Sequence, residues 1–331
     1  MVVGSWLVPL DKGEGKARPV AGGTALFKLA ATYLMENVPN AARDIFRESG
    51  VQYGLFMKGG TTAAAQMTQL KLDSDPSHIV IKIDFANAFN TIPRRYIFQQ
   101  LYRRPELTSL FYLAHWAYHS PSPLLLRDAQ GQVAAILESA EGVRQGCVLG
   151  SLLYGIATLD LLRRLKERFP DIETTAFLDD VSLSGNQKSA FEAFDFLERE
   201  ASVMGVRVQR GKCEVLISDA DVGDATQKEQ LQQLIEKHGL RLQRGAVPFL
   251  GTVVGHDRQA IKKLVTEKVD RWKKALDLLA REEIPTQLAL LVARWNMTSK
   301  PNTLARSLPQ TSSWRRSQTM TRPWCAQWSR G

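Results

Sequence analysis

No run of apolar residues reaches the roughly 18 positions that a membrane-spanning helix needs. The start, Met-Val-Val-Gly-Ser-Trp, has neither the basic flank nor the apolar core of a secretory leader, so the expectation is a soluble intracellular protein. Cysteine is scarce. Cys147, Cys213 and Cys325 stand far apart with no Cys-x-x-Cys pair, which excludes a disulfide framework and a zinc knuckle and leaves reduced thiols. Histidine is scarce too, five in all. His115 and His119 enclose Trp-Ala-Tyr where a zinc-protease helix carries glutamate, so they read as neighbours on one face of an aromatic helix. No internal repeat is present.

What is there suits a globular protein with a sizeable core: 331 residues, 44% hydrophobic and 23% charged, enough for about two domains at roughly 150 residues each. Lys and Arg number 43 against 34 Asp and Glu, a formal +9 that favours a polyanionic partner, nucleic acid or an anionic membrane surface. Residues 310–331 supply +4 of this, with Trp314, Trp324 and Trp328 and no acid or apolar period. They read as a disordered or out-of-context tail, and +5 remains on residues 1–309.

Along the chain, Leu26, Leu29, Ala30, Tyr33, Leu34 and Val38 recur at helical spacing within 22–48, interrupted at Pro39. His78–Asp84 is short and β-branched, a buried strand ending at a carboxylate. Strands over 123–127 and 132–137 turn through Asp128-Ala129-Gln130-Gly131. A helix over 151–169 stops at Pro170, and Thr174–Ser184 is a hairpin with Leu178, Asp179 and Asp180 at its turn. A helix over 189–204 ends at Gly205, followed by short strands at 206–208, 214–217 and 248–255. A helical segment from 261 to 296 carries Lys262, Lys263, Lys268, Arg271, Lys273 and Lys274. This order predicts an α+β fold with helices on one face of a mostly antiparallel sheet.

A hairpin paired beside the first strand would bring Asp84, Asp179 and Asp180 together. Carboxylates without imidazole or thiolate suit hard cations such as Mg²⁺, and the apolar flanks Ala176, Phe177, Val181 and Leu183 are more than a solvated turn needs.

Three segments resemble, in order and spacing, motifs A, B and C of reverse transcriptases: Val80–Asn90 (VIKIDFANAFN), Glu141–Leu153 (EGVRQGCVLGSLL) and Phe177–Asp180 (FLDD). Pro9–Lys12 and Lys16–Val20 look like the fingers motif, and Gln52-Tyr53-Gly54 with Gly59-Gly60 follows as in non-LTR retrotransposon enzymes. Gly205–Val208 with Lys212 and Cys213 is similar to motif D, and Phe249-Leu250-Gly251 to motif E. The resemblance covers about residues 7–308 and is nearest the site-specific non-LTR elements of trypanosomatids.

The resemblance implies a right-hand polymerase fold: fingers over 1–78, palm over 79–94 and 141–255, a fingers/palm connection with a hairpin over 95–140, and a partial, basic helical thumb over 256–309. It implies an RNA-directed DNA polymerase with an RNA template, a DNA primer or nicked target DNA, dNTPs and two Mg²⁺ ions that Mn²⁺ can replace. It also implies a nuclear site of action. Asp84 and Asp179 would hold the metals with Asp180 in support, and Lys212 would protonate pyrophosphate. Arg18 and Lys12 would grip the triphosphate, and Phe89 would exclude a 2′-hydroxyl. Arg144, Gln145 and Gly146 would border nucleotide and template, and Phe249, Leu250 and Gly251 would grip the primer.

Leu178, Cys147 and Asn90 depart from the small residue, the Asp and the Asp frequent at those places. None removes a metal ligand. Two other readings stand beside the enzyme: an inactive, truncated fragment that still binds nucleic acid, and an RNA-dependent RNA polymerase, against which Phe89 and Arg144-Gln145-Gly146 argue. Residues 218–247 read as a polar insert, and nothing in the sequence determines oligomeric state.

Overall fold

A computed structural model describes residues 4–308 with the exception of 14, 39, 219–224, 282 and 298. The tail 310–331 and the side chain of Lys12 lie outside the described residues.

A hairpin, β1 (Ser5–Gly13) and β2 (Lys16–Gly23), precedes helices α1 (Ala25–Glu36), α2 (Asn40–Ser49) and α3 (Gly60–Ser74). Strand β3 (Ile79–Ile83) leads through α4 (Ala88–Thr91), α5 (Arg94–Tyr102) and α6 (Thr108–Tyr118) to a second hairpin, β4 (Ser122–Arg127) and β5 (Val133–Ser139). Helix α7 (Gly150–Arg168), hairpin β6 (Glu173–Phe177) and β7 (Asp180–Gly185), and helix α8 (Gln187–Val203) come next. Then follow β8 (Glu214–Ile217), α9 (Ala225–His238), β9 (Arg241–Arg244), β10 (Ala246–Phe249) and β11 (Thr252–Gly255). Helices α10 (Arg258–Leu279), α11 (Thr286–Val292) and α12 (Ser299–Ser307) close the described chain.

The central sheet has the order β6-β7-β3-β8-β9, antiparallel except for β8 beside β9. Because side chains alternate across a strand, Ile79, Ile81 and Ile83 enter the main core, which α5, α7 and α8 help to fill. Val80 faces the other way, toward Ala64 and Ala65 of α3 and Phe249 and Val254 of the β10–β11 hairpin. Both faces of β3 are thus covered, as an uninterrupted β-branched run requires. A second sheet, β2-β1-β4-β5, joins the first hairpin to the second through a parallel β1–β4 pair. Helix α7 is buried nearly all round, and Leu55 and Phe46 occupy the space a side chain on Gly155 would need.

Several expectations shift. The helix expected over 22–48 is two helices, and on α1 the stripe Leu26, Leu29 and Tyr33 is exposed while Phe27 and Ala31 are buried. Asp180 opens β7 rather than ending the turn. Val208 makes an isolated bridge to Phe85 in place of a strand. Residues 248–255 are not one strand: the chain reverses at Leu250 and Gly251, both at positive φ, a pair of left-handed residues that closes a tight hairpin. The polar insert contains α9, whose Leu231 and Ile235 join the main core and whose His238 meets Asp195 of α8 at 2.8 Å. The basic segment breaks before Pro285, where the missing N–H and fixed φ favour a new helix start.

Candidate active site

Strand β3 and the β6–β7 hairpin bring the acids together. In the antiparallel register Ile83 lies opposite Val181, so the next pair along sets Asp84 beside Asp180. Asp84, Asp179 and Asp180 line one cavity of about 570 Å³ with Arg18, Phe89, Gln145, Gly146 and Lys212. The turn between β6 and β7 has two residues, with Phe177 paired to Asp180 and Leu178 at φ +60°. A non-glycine residue rarely adopts that conformation, and it swings Asp179 to the cavity side.

The electrostatics report crowding of like charge. Burial pushes the Asp179 carboxyl above its ordinary value, the Asp180 and Asp84 charges push it further, and Arg18 opposes them. Asp180 moves the same way through burial and Asp84, against the pull of Lys82. The Tyr154 hydroxyl is driven up by its burial and then by Asp179 and Asp180. Among the described residues no three His, Cys, Asp or Glu side chains are grouped to hold a metal ion by themselves.

The cavity wall is stitched from distant segments. Gln209 N donates to Asp84 O at 2.8 Å, Ala86 N donates to Arg207 O at 2.9 Å, and the buried Cys213 thiol accepts from Asp84 N at 3.4 Å. Burial raises that thiol to about 11, so it stays protonated and leaves the acids no additional neighbouring charge. Phe89 is half-buried and stacks on Tyr154 with ring centroids 4.6 Å apart. Its carbonyl accepts from Val143 N at 2.7 Å. A Cβ on Gly142 would lie 2.3 Å from Asn90 C and O and 2.4 Å from Phe89 O.

Gln145 O accepts from Ala21 N at 2.7 Å, tying this loop to β2. Gly146, expected to admit template, approaches protein instead: a Cβ there would be 3.0 Å from Val20 Cγ1 and 3.1 Å from Ala21 O. Arg144, expected at the nucleotide, borders the cavity but is 5% exposed. Its guanidinium lies 4.6 Å from the Tyr118 ring centre and 5.6 Å from that of Phe27, and donates to Ser122 Oγ at 3.1 Å. The charge therefore braces the wall from behind.

Lys212 is exposed at the cavity rim, its N–H donating to Gln209 O at 2.8 Å. Lys12 lies at a bulge in β1. Phe249, Leu250 and Gly251 are not among the cavity-lining residues. Phe249 is buried beneath the β10–β11 turn, and Gly251 O accepts from Lys268 Nζ of α10 at 2.5 Å. Sequence reasoning missed Tyr154 and Arg94, and it placed Gln52 in a motif without giving it a role. The Arg94 guanidinium is buried and donates to five backbone carbonyls, those of Tyr118, Ser120, Ser139, Glu141 and Gly142, and to Ser139 Oγ. No periodicity or charge pairing marks it in the sequence.

A mostly antiparallel sheet that delivers acids from one strand end and from an adjacent hairpin turn to a common cavity is the right-hand polymerase fold. The model of the family Reverse transcriptase (RNA-dependent DNA polymerase) matches residues 10–254, and the chain belongs to that family. It is 30% identical over 231 residues to the Retrotransposable element SLACS 132 kDa protein of Trypanosoma brucei gambiense, across 70% of this chain and 19% of that protein. The chain thus spans about a fifth of the length of that curated relative, and the resemblance to trypanosomatid site-specific elements is borne out. A structure of apo telomerase from Candida tropicalis, truncated from its C-terminal domain, shares the fold at a TM-score of 0.51 and 10% identity, over 77% of this chain and 53% of that one. Telomerase from Candida albicans with a fragment of telomeric RNA gives 0.49 and 11%, over 76% and 44%. The chain is a reverse transcriptase core, and no helix among the described residues is long and apolar enough to cross a membrane.

Proposed function

We propose that the acidic cavity extends a DNA primer with dNTPs along an RNA template, as the copying step of a non-LTR retrotransposon in the nucleus. The single observation that carries this reading is the meeting of Asp84, Asp179 and Asp180 in one cavity with Phe89 and Gln145 on its wall. The donor set fits a hard divalent ion. It is all carboxylate; burial first, and neighbouring carboxylates after it, raise the titration of Asp179 and Asp180, and a cation would relieve the second of these. Asp84 and Asp179 would hold two Mg²⁺ or Mn²⁺ ions with Asp180 supporting them. Bound there, such ions stabilise the charge that develops on attacking and leaving oxygens.

The chain's own groups do the rest. Arg18 and Lys12 orient the triphosphate by fixed positive charge. As the primer 3′-hydroxyl gives up its proton to solvent, its oxygen bonds to the α-phosphorus and the bond to pyrophosphate breaks; Lys212 gives the leaving group a proton. Phe89, held by Tyr154 and Val143, selects dNTPs because its ring would clash with a 2′-hydroxyl. Gln145 and Gly146 set the wall over the base, with Arg144 bracing them. In this reading the sheet of β1, β2, β4 and β5 belongs to the fingers and the central sheet to the palm. Phe249, Leu250 and Gly251 form the primer grip, and α10 to α12 form the thumb.

Extension of an oligo(dT) primer on poly(rA) with Mg²⁺ or Mn²⁺ tests the reading, comparing the chain with Asp179→Ala. Synthesis by the parent that disappears in the variant is the expected result. Folded, hybrid-binding protein that extends nothing would instead identify an inactive fragment, and preferential use of rNTPs would identify an RNA polymerase.

A further inference from the structure

The turn that carries Asp179 is held by a side chain from far away in the sequence. Gln52 is 1% exposed, and its Oε1 accepts from Leu178 N at 2.8 Å and from Gly54 N at 3.0 Å. The flanking backbone is clamped as well. Ala176 N donates to Val51 O and Tyr53 N donates to Ala176 O, both at 2.7 Å, so residues 51–53 run beside the edge of β6. Gly54 lies directly over the turn: a Cβ there would be 3.0 Å from Leu178 N and 3.1 Å from Leu178 Cγ.

Leu178 sits in left-handed backbone, which costs an L-residue with a Cβ about 1–2 kcal/mol. Such a conformation persists only where the surroundings determine it. We infer that Gln52 is the positioning residue of the catalytic turn, holding Leu178 left-handed through its amide oxygen so that Asp179 faces the cavity. The choice of amide follows from charge. A glutamate would offer the same acceptor but add another negative group near carboxyls that already repel one another. The Gln52 Nε2 is buried without an acceptor, so the side chain is kept for its oxygen at the expense of an unmet donor.

This inference rests on the polymerase reading for its catalytic consequence but not for the hydrogen bond itself, and the test separates the two. Gln52→Met keeps the length of the side chain and removes the acceptor. The expected result is a roughly tenfold lower kcat, equivalent to about 1.4 kcal/mol, with KM for dNTP and affinity for the hybrid within about twofold of the parent. The Leu178 amide should lose its protection from hydrogen exchange. Adding Leu178→Gly to Gln52→Met should restore kcat to within about threefold of Leu178→Gly alone, because glycine adopts positive φ without the steric cost. Gly54→Ala, which crowds the same turn without touching the acids, should also lower kcat more than it raises KM.

An unchanged kcat in Gln52→Met overturns the inference. So does a loss that Leu178→Gly fails to recover, or a Leu178 amide that exchanges as slowly as in the parent. A folded parent with no polymerase activity would fail the polymerase reading instead, and the exchange of Leu178 would still decide whether Gln52 holds the turn.

Discussion

Replacing Gly142 by alanine puts the link between the 141–153 loop and the proposed nucleotide pocket to a quantitative test. Gly142 has φ +61°, and a Cβ there would fall 2.3 Å from Asn90 C and O and 2.4 Å from Phe89 O. Two costs add. Left-handed backbone with a Cβ costs about 1–2 kcal/mol, and forcing extra bulk into a packed site costs about 1–3 kcal/mol more. Ordinary van der Waals contact needs about 1 Å of retreat here, and the backbone that must retreat carries Phe89 and Asn90. The variant should therefore lose about 2–5 kcal/mol of stability, a drop of roughly 5–15 °C in Tm for a domain of this size. A misplacement of that order at a substrate-positioning group should lower kcat/KM for dNTP by about 10²-fold. It should also weaken discrimination against rNTP.

Gly131 provides the control. It has φ +80° in the β4–β5 turn, and a Cβ there meets nothing within 4 Å. Gly131→Ala should thus lose only the backbone cost, about 1–2 kcal/mol, and keep its activity. Thermal unfolding and single-nucleotide incorporation with dNTP and rNTP measure both effects. Equal destabilisation of the two variants, or an unaltered dNTP preference in Gly142→Ala, would refute the argument that this close approach sets the pocket.

Two more perturbations bear on the site's supports and on its charge. Arg94→Met takes the donor from five backbone carbonyls, three of them in buried contacts (Tyr118, Ser139 and Gly142), and from the Ser139 hydroxyl. It should cost about 3–5 kcal/mol by urea unfolding, and Arg94→Lys should recover little of that because an ammonium cannot span the same acceptors. Asp179→Asn should abolish extension yet stabilise the metal-free protein at neutral pH, since it removes a partly buried charge among like charges. The sign follows from the raised carboxyl. The native parent holds a proton that the unfolded chain releases, so the parent loses stability as pH rises through the native value and matches the variant below the unfolded carboxylate range. Paired unfolding curves in chelator from acid to neutral pH check this. A variant less stable than the parent at neutral pH would contradict it.

The three aspartates proposed for the chemistry were legible in the sequence because each combines a donor type with a local pattern. A β-branched run ending in Asp84, and a pair of acids between two β-like stretches, define a strand end and a hairpin turn before any contact is known. Periodicity was less informative about sides. On α1 it singles out Leu26, Leu29 and Tyr33, which are exposed, and passes over Phe27 and Ala31, which are buried. Helical spacing shows that apolar stripes exist, while their direction is set by what packs against them, here Trp116 of α6, whose ring centre lies 6.3 Å from that of Phe27.

What the supports of the site do was not legible, although Gln52 and Cys213 stand in segments that resemble family motifs, and the reason is different. Gln52, Arg94 and Cys213 act on backbone groups, and a backbone N–H or C=O has no residue identity to read. Gln52 reaches an amide 126 positions away, and the Cys213 thiol an amide 129 positions away. Arg94 spans 24 to 48 positions to backbone carbonyls and one hydroxyl, with no carboxylate among these hydrogen-bond acceptors, so charge pattern offers no hint of it. Arg144 shows the same physics from the other side. Its charge and its place in a nucleotide-pocket motif predicted a contact with substrate, but the guanidinium has aromatic rings and a hydroxyl to satisfy it within the fold. In this chain the groups proposed for the chemistry are those whose charges outweigh their counter-charges at the cavity, Asp179 and Asp180 above all, which burial and like charge raise against the pull of Arg18 and Lys82. The groups that aim them are those whose hydrogen bonds the fold itself supplies. Substitution should therefore divide them: loss of an aspartate removes activity while relieving repulsion, and loss of a buried support weakens the fold and the chemistry together.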